Sequence, residues 1–144
     1  KTNNNAMKLN KYNYIFLFAA LSLIIVAVAA QARTERHYRT TAAKHINITV
    51  DSIDFRNDVT RMYAKLCGNP HTSQRIDEAM LRIGTASFQA RDIDGVDFKR
   101  WFQWEEDGII PVEIDFRPMT PFNNAKLELV TPRGTDITEI KTSK

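Results

Sequence analysis

Two acidic stretches, one aromatic stretch and three histidines hold the residues of this chain whose types could do chemistry. Asp92, Asp94 and Asp97 alternate with other residues around Gly95. Carboxylates at such spacing supply the oxygen ligands that a hard cation such as calcium takes. An EF-hand loop starting at Asp92 would carry glycine at its sixth position and glutamate at its twelfth. Asp97 and Gln103 stand there instead, which excludes an EF-hand. A calcium site of another kind, built from Asp92, Asp94 and Asp97, remains a candidate. The plainer reading is a solvated turn whose aspartates bond the local backbone. Glu105, Glu106 and Asp107 form the second acidic run. Paired carboxylates can act as glycosidase acid and base, but that work needs a cleft and one raised pKa. Three consecutive acids before Gly108 read more simply as a charged hairpin tip.

The aromatic stretch is Trp101, Phe102, Gln103 and Trp104. On a strand, alternation puts Trp101 and Gln103 on one face and Phe102 and Trp104 on the other. In one reading Phe102 and Trp104 fill the core while Trp101 covers an edge. In the other, Trp101 and Trp104 form an exposed platform for a sugar or a protein partner, with Lys99 and Arg100 adding cation–π or ion-pair contacts. Lys99, Arg100, Trp101 and Trp104 are therefore the candidate binding residues.

Catalytic residues are expected to be absent. A nucleophilic triad needs a Ser or Cys held against a His by a third group. His71 has Thr72 and Ser73 beside it but no such arrangement, and reads as a polar loop residue. His37, His45 and His71 lack metal-ligand spacing. Cys67 is the only cysteine, so no disulfide forms within the chain; it falls in an apolar strand pattern and reads as a small buried hydrophobe. No cofactor is implied. Asn47 and Thr49 make a glycosylation sequon by chance.

The elements that must position these residues follow a period of two. Val112, Ile114 and Phe116 alternate with Glu113 and Asp115. Met62, Ala64 and Leu66 alternate with Tyr63 and Lys65. Leu127 and Leu129 alternate with Lys126 and Glu128. Each is a strand with its apolar side in a core and its charged side facing solvent. Ile48 and Val50 are even-numbered but Ile53 and Phe55 are odd, so a bulge is expected near Asp51 and Ser52. Turn signals fall at residues 56–58, 68–70 and 132–134. Asp94-Gly95 and Asp107-Gly108 are the strongest short hairpin signals. Residues 73–83 are ambiguous: Ile76, Ala79, Met80 and Ile83 have helical spacing, yet residues 78–83 also read as a strand, which is the preferred reading. The fold class expected is all-β, with at most one short helix in this domain.

The N-terminal part is read as an export signal. Met7 is followed by Lys8 and Lys11, then by an uncharged run over residues 14–30 that ends in small residues. A basic start, an apolar middle and a small-residue cleavage site make a secretory signal. Cleavage after Ala30 or Ala32 would leave roughly 112 residues. Retention as a membrane anchor is the alternative, although the run is at the short end for a span. Residues 1–6 are upstream, 7–32 are the signal or anchor, 33–44 a linker and 45–144 the β domain.

Three of the 20 Lys+Arg precede Arg33, whereas all 17 Asp+Glu follow it. The net +3 therefore belongs to the N-terminal segment, at Lys1, Lys8 and Lys11, and the mature part is neutral. A nucleic-acid interface needs concentrated positive charge, so none is expected. Arg33, Arg36, His37 and Arg39 form one basic cluster. It is read as a solvated terminus, with contact to anionic lipid as the sharper alternative.

Asn57 and Asp58, the run from Val59 to Leu66, Asp92 to Gly95, Gly108 to Phe116, Arg117 to Pro121, and Ala125 to Val130 resemble, in that order, small exported bacterial immunoglobulin-like β-sandwich domains of unknown function. The resemblance implies an antiparallel sandwich of about seven or eight strands, following a hydrophobic signal helix, and no shared chemistry. The cysteine pair of antibody domains is missing. The expected function is that of an exported, non-enzymatic domain, periplasmic, cell-surface or secreted, that binds a protein or glycan at the cell envelope or supports it. The alternatives are a small secreted enzyme or enzyme inhibitor using the acidic loops, and a membrane-anchored subunit of an envelope complex. Membrane contact is expected only through an uncleaved N-terminus.

Overall fold

The computed structural model describes residues 32–143. The signal expected at residues 7–32 lies outside the described residues, apart from Ala32. Twelve strands make up the rest: β1 (Arg33–Arg36), β2 (Tyr38–Thr40), β3 (Asn47–Phe55), β4 (Thr60–Cys67), β5 (Ser73–Arg75), β6 (Glu78–Ile83), β7 (Ala86–Gln89), β8 (Asp92–Asp94), β9 (Trp101–Gln103), β10 (Ile109–Phe116), β11 (Asn124–Thr131) and β12 (Gly134–Thr142). They form one five-stranded sheet in the order β1-β3-β4-β10-β8, a second in the order β2-β12-β11-β6-β7, and a two-stranded ribbon, β5-β9. Every pairing is antiparallel, and no helix occurs among the described residues. The chain is all-β.

The long strands follow the alternation of their sequence. Ile48, Val50, Ile53 and Phe55 of β3, Met62, Ala64 and Leu66 of β4, Val112, Ile114 and Phe116 of β10, and Leu127 and Leu129 of β11 all point into one core between the two sheets. The register of β3 against β4 slips between Val50 and Ser52. This bulge at Asp51 lets both apolar pairs of β3 face inward. Lys126 is exposed, but Glu113, Asp115 and Glu128 are half-buried rather than fully solvated. Arg61 forks onto Asp115 with bonds of 2.7 and 2.8 Å, and Arg82 Nε donates to Glu128 at 2.7 Å. The hydrogen bonds from Arg61 hold the Asp115 carboxyl below the usual carboxylate range.

Several expectations are corrected. Residues 33–44 are not a linker: β1 joins the first sheet and β2 the second, so the chain visits both sheets before β3. Twelve strands replace seven or eight, because β1, β2, β5, β7, β8 and β9 span only three or four residues each, too few to display a period. Neither Asp-Gly step is a hairpin turn. β8 pairs with β10, and β9 pairs with β5. At Gly95 the chain passes so close to the Pro111 carbonyl that a Cβ would overlap it, and φ is 99°. Two-residue hairpin turns occur instead at Gly84-Thr85, closed by the pair Ile83 and Ala86, and at Pro132-Arg133, closed by the pair Thr131 and Gly134. Residues 73–83 hold two strands and no helix, with residues 78–83 extended as the preferred reading has it.

The domain has two poles. Where the chain enters, Phe122 packs against Phe55 and Tyr38 with ring centres 5.9 and 6.1 Å apart. There the N–H of Met119 donates to Thr60 Oγ1 at 3.1 Å, and that of Ser143 to the His37 carbonyl at 2.8 Å. Burial pushes the Tyr38 hydroxyl up to about 12. At the opposite, distal pole Cys67 pairs with Asn47 and Ile109. Here Asp136 of β12, 3% exposed, accepts hydrogen bonds from the backbone N–H groups of His45 and Ile46 at 3.0 and 2.7 Å. Its other oxygen lies 2.9 Å from His45 Nδ1.

Two substitutions test this account. Ile114→Ala should cost about 2–5 kcal/mol in equilibrium unfolding, the range for large-to-small changes in a core. Asp136→Ala strands the buried N–H of Ile46 and the half-buried N–H of His45, at roughly 1–3 kcal/mol for a buried group, so a loss of about 3 kcal/mol is expected. A loss below about 0.5 kcal/mol in either would contradict the assigned burial.

Candidate binding site

The ribbon β5-β9 sits at the distal pole because two glycines let the chain fold back there. A Cβ at Gly68 would overlap the indole of Trp104, and one at Gly108 (φ 64°) would overlap the Gly68 carbonyl. With hydrogens at both places, Gly68 N–H donates to the Gly108 carbonyl at 2.9 Å. Trp104 lies flat over the glycine backbone, 2% exposed. Its own backbone is held from both sides: His71 N–H donates to its carbonyl at 2.8 Å, and its N–H donates to the Thr72 carbonyl at 2.9 Å. His71 accepts a left-handed backbone (φ 63°) to make this bond, and Lys99 does likewise (φ 62°) before β9. Such conformations are uncommon outside glycine. Lys99 N–H reaches the Ile76 carbonyl at 2.8 Å.

The register of the ribbon pairs Ser73 with Gln103, Gln74 with Phe102 and Arg75 with Trp101. Gln74 and Phe102 face inward; Phe102 meets Trp104 edge-to-face with centres 5.2 Å apart. Ser73, Arg75, Trp101 and Gln103 make the outer face. Trp101 is 57% exposed, and the Arg75 guanidinium lies 5.3 Å from its ring centre. Asp77 grips that guanidinium with contacts of 2.7 and 3.2 Å. The guanidinium is thus held in place beside an exposed aromatic plate. A hydroxyl and a carboxamide stand on the paired strand positions, giving both donors and acceptors.

Beside the plate lies an open depression of about 650 Å³ lined by His71, Gln103, Trp104, Glu105, Glu106 and Asp107. Gln103 belongs to both, and its Nε2 donates to the His71 carbonyl at 3.4 Å. Asp107 Oδ1 accepts from Ile109 N–H at 3.1 Å, which orders the acidic loop.

The candidate residues are thus divided. Trp101 is on the surface, whereas Trp104 is a core residue and no part of a platform. Arg75, not Lys99 or Arg100, supplies the cation over the indole. Lys99 is exposed, and Arg100 faces Asp97 at 3.4 Å. Asp92 and Asp94 lie on the solvent side of β8, opposite Asp115 and Glu113, away from the acidic loop. Asp94 Oδ1 accepts from Gly95 N–H at 3.0 Å. With Asp97 they do not gather: no group of three or more metal-ligating side chains occurs among the described residues. Arg75 has no signal in the sequence, because β5 is three residues long and Ser73, Gln74 and Arg75 carry no apolar alternation.

Gly68→Ala tests how the ribbon is seated. The Cβ would have to displace Trp104, at about 1–3 kcal/mol for an overpacked contact. Lower thermal stability should appear together with a changed near-ultraviolet circular dichroism of tryptophan. Comparison with protein families, with curated protein sequences and with solved structures returned no match.

Proposed function

We propose that this chain is an exported, non-catalytic bacterial domain of the cell envelope that binds a glycan on the outer face of the β5-β9 ribbon. The observation that carries the reading is Trp101, 57% exposed in a domain that buries its other tryptophan. An exposed large aromatic beside placed polar groups is the pattern of a recognition site. A pyranose ring presents an apolar C–H face with a rim of hydroxyls. The indole suits the first, and Ser73, Gln103 and the outward N–H groups of Arg75 suit the second. The distal position of the ribbon adds support, since the surface then lies opposite the point where the chain enters.

The absence of catalysis is part of the proposal. His71, Glu105, Glu106 and Asp107 share one depression, but all four are exposed. Acid–base catalysis at neutral pH calls for a group tuned by burial or by a close neighbour. The immunoglobulin-like kinship belongs to the proposal too, supported by two antiparallel sheets over one core. Export is supported by the basic, apolar and small-residue succession of residues 7–32.

Retention on insoluble peptidoglycan, chitin and cellulose tests the reading. Wild-type protein should be retained on at least one. Trp101→Ala should abolish retention and leave the melting temperature nearly unchanged. A fall of several degrees, where about 1 kcal/mol shifts a domain of this size by about 4–8 °C, together with unchanged retention would assign Trp101 a purely structural role.

A further inference from the structure

We infer that the pole at which the chain enters is a docking surface for an anionic lipid bilayer. The inference is independent of what the ribbon binds. The carboxylates Glu35, Asp54, Glu128 and Glu139 near this pole each face a cation: Arg33, Arg56, Arg82 and Lys141 respectively. Asp58, exposed in the β3–β4 turn, and Asp92, exposed opposite Asp115, face no cation among the described residues. Three further cations have no carboxylate partner among the described residues. Arg117 stands in the loop that holds Phe122, and its guanidinium lies 4.4 Å from the Phe88 ring centre. Arg39 pairs in register with Lys141. Lys126 lies between Glu139 and Arg82 on the outer face of the second sheet. All three are exposed.

Next to Arg117 is a depression of about 480 Å³ where Phe88, Pro118, Met119 and Pro121 stand beside Thr120, Asn123 and Asn124. Unpaired cations beside apolar side chains match the two layers of a bilayer surface, anionic headgroups over the glycerol and upper acyl region. At the distal pole the exposed acids Glu105, Glu106 and Asp107 are accompanied by the exposed cations Lys44, Lys99 and Arg133. An anionic surface would attract the cations at the pole of chain entry, which would orient a domain whose net charge is zero. The point of chain entry specifies the occupant: the uncharged sequence of residues 14–30 is joined to Arg33 by two residues.

The test uses the full chain reconstituted in nanodiscs of phosphatidylcholine alone and of phosphatidylcholine with phosphatidylglycerol. The same chain is present in both, so any difference reports headgroup charge. Hydrogen exchange at residues 37–41 and 117–123 should be slower in the anionic discs and unchanged at residues 101–107. High salt should remove the difference. In the triple variant Arg39→Glu, Arg117→Glu, Lys126→Glu, the protection should fall by about fivefold or more for each cation lost. Equal exchange in the two lipids, slowing that survives high salt, or slowing at residues 101–107 would each overturn the inference. The salt titration of wild-type protein decides even if the variant fails to fold.

Discussion

The carboxylate of Asp136 is the interaction on which the arrangement of the two sheets rests. It belongs to β12, in the second sheet, yet its oxygens are occupied by the backbone of His45 and Ile46 and by the His45 imidazole. Those residues lie where the chain crosses from β2 to β3, that is, from the second sheet to the first. A buried carboxylate without partners is strongly unfavourable, so only a packing that brings this crossing onto β12 is compatible with the sequence. One polar contact therefore ties together the two sheets that apolar packing alone would leave free to slide. The hydrophobic effect is non-directional, whereas three hydrogen bonds to one side chain are not.

The distal pole depends on this alignment. β5 and β9 have three residues each, and an isolated two-stranded ribbon is at best marginally stable in water. It is held because Trp104 lies on the Gly68 backbone and Phe102 against Trp104, which continues the core to the base of the ribbon. The consequence is a division of labour between neighbouring aromatic residues. Trp104 and Phe102 supply the burial that keeps the ribbon in place, and Trp101 is left on the outside. Asp77 and Arg75 then restrict the rim of the indole. A surface ordered in advance loses less side-chain freedom on binding.

Charge is organised in the same polar manner. With 17 cations and 17 anions after residue 32, composition suggests an unremarkable surface. The sheets sort these charges into ion pairs along the strands, such as Arg61 with Asp115 and Arg82 with Glu128. The charges left unpaired include Arg39, Arg117 and Lys126 near the chain entrance and Glu105, Glu106 and Asp107 at the far loop. Surface ion pairs contribute little to stability, but the unpaired remainder sets the direction of the field in which the domain meets other surfaces.

The sequence by itself determined the long strands, the inward faces of β3, β4, β10 and β11 and the bulge at Asp51. Each follows from a period of two, which needs only local information and about five residues to become visible. Tertiary structure alone decided the rest. Strands of three or four residues exist because a neighbour offers an open edge, so β1, β2, β5, β8 and β9 had no local signature. Asp94-Gly95 and Asp107-Gly108 have the composition of hairpin turns. They serve instead as places where another backbone or ring comes too close for a Cβ, and what approaches them is distant in sequence. Asp136 and His45 are 91 positions apart, and Arg75 reaches Trp101 only through the pairing of β5 with β9. Contacts of that kind arise when separate segments are packed together, and no window along the chain contains both partners.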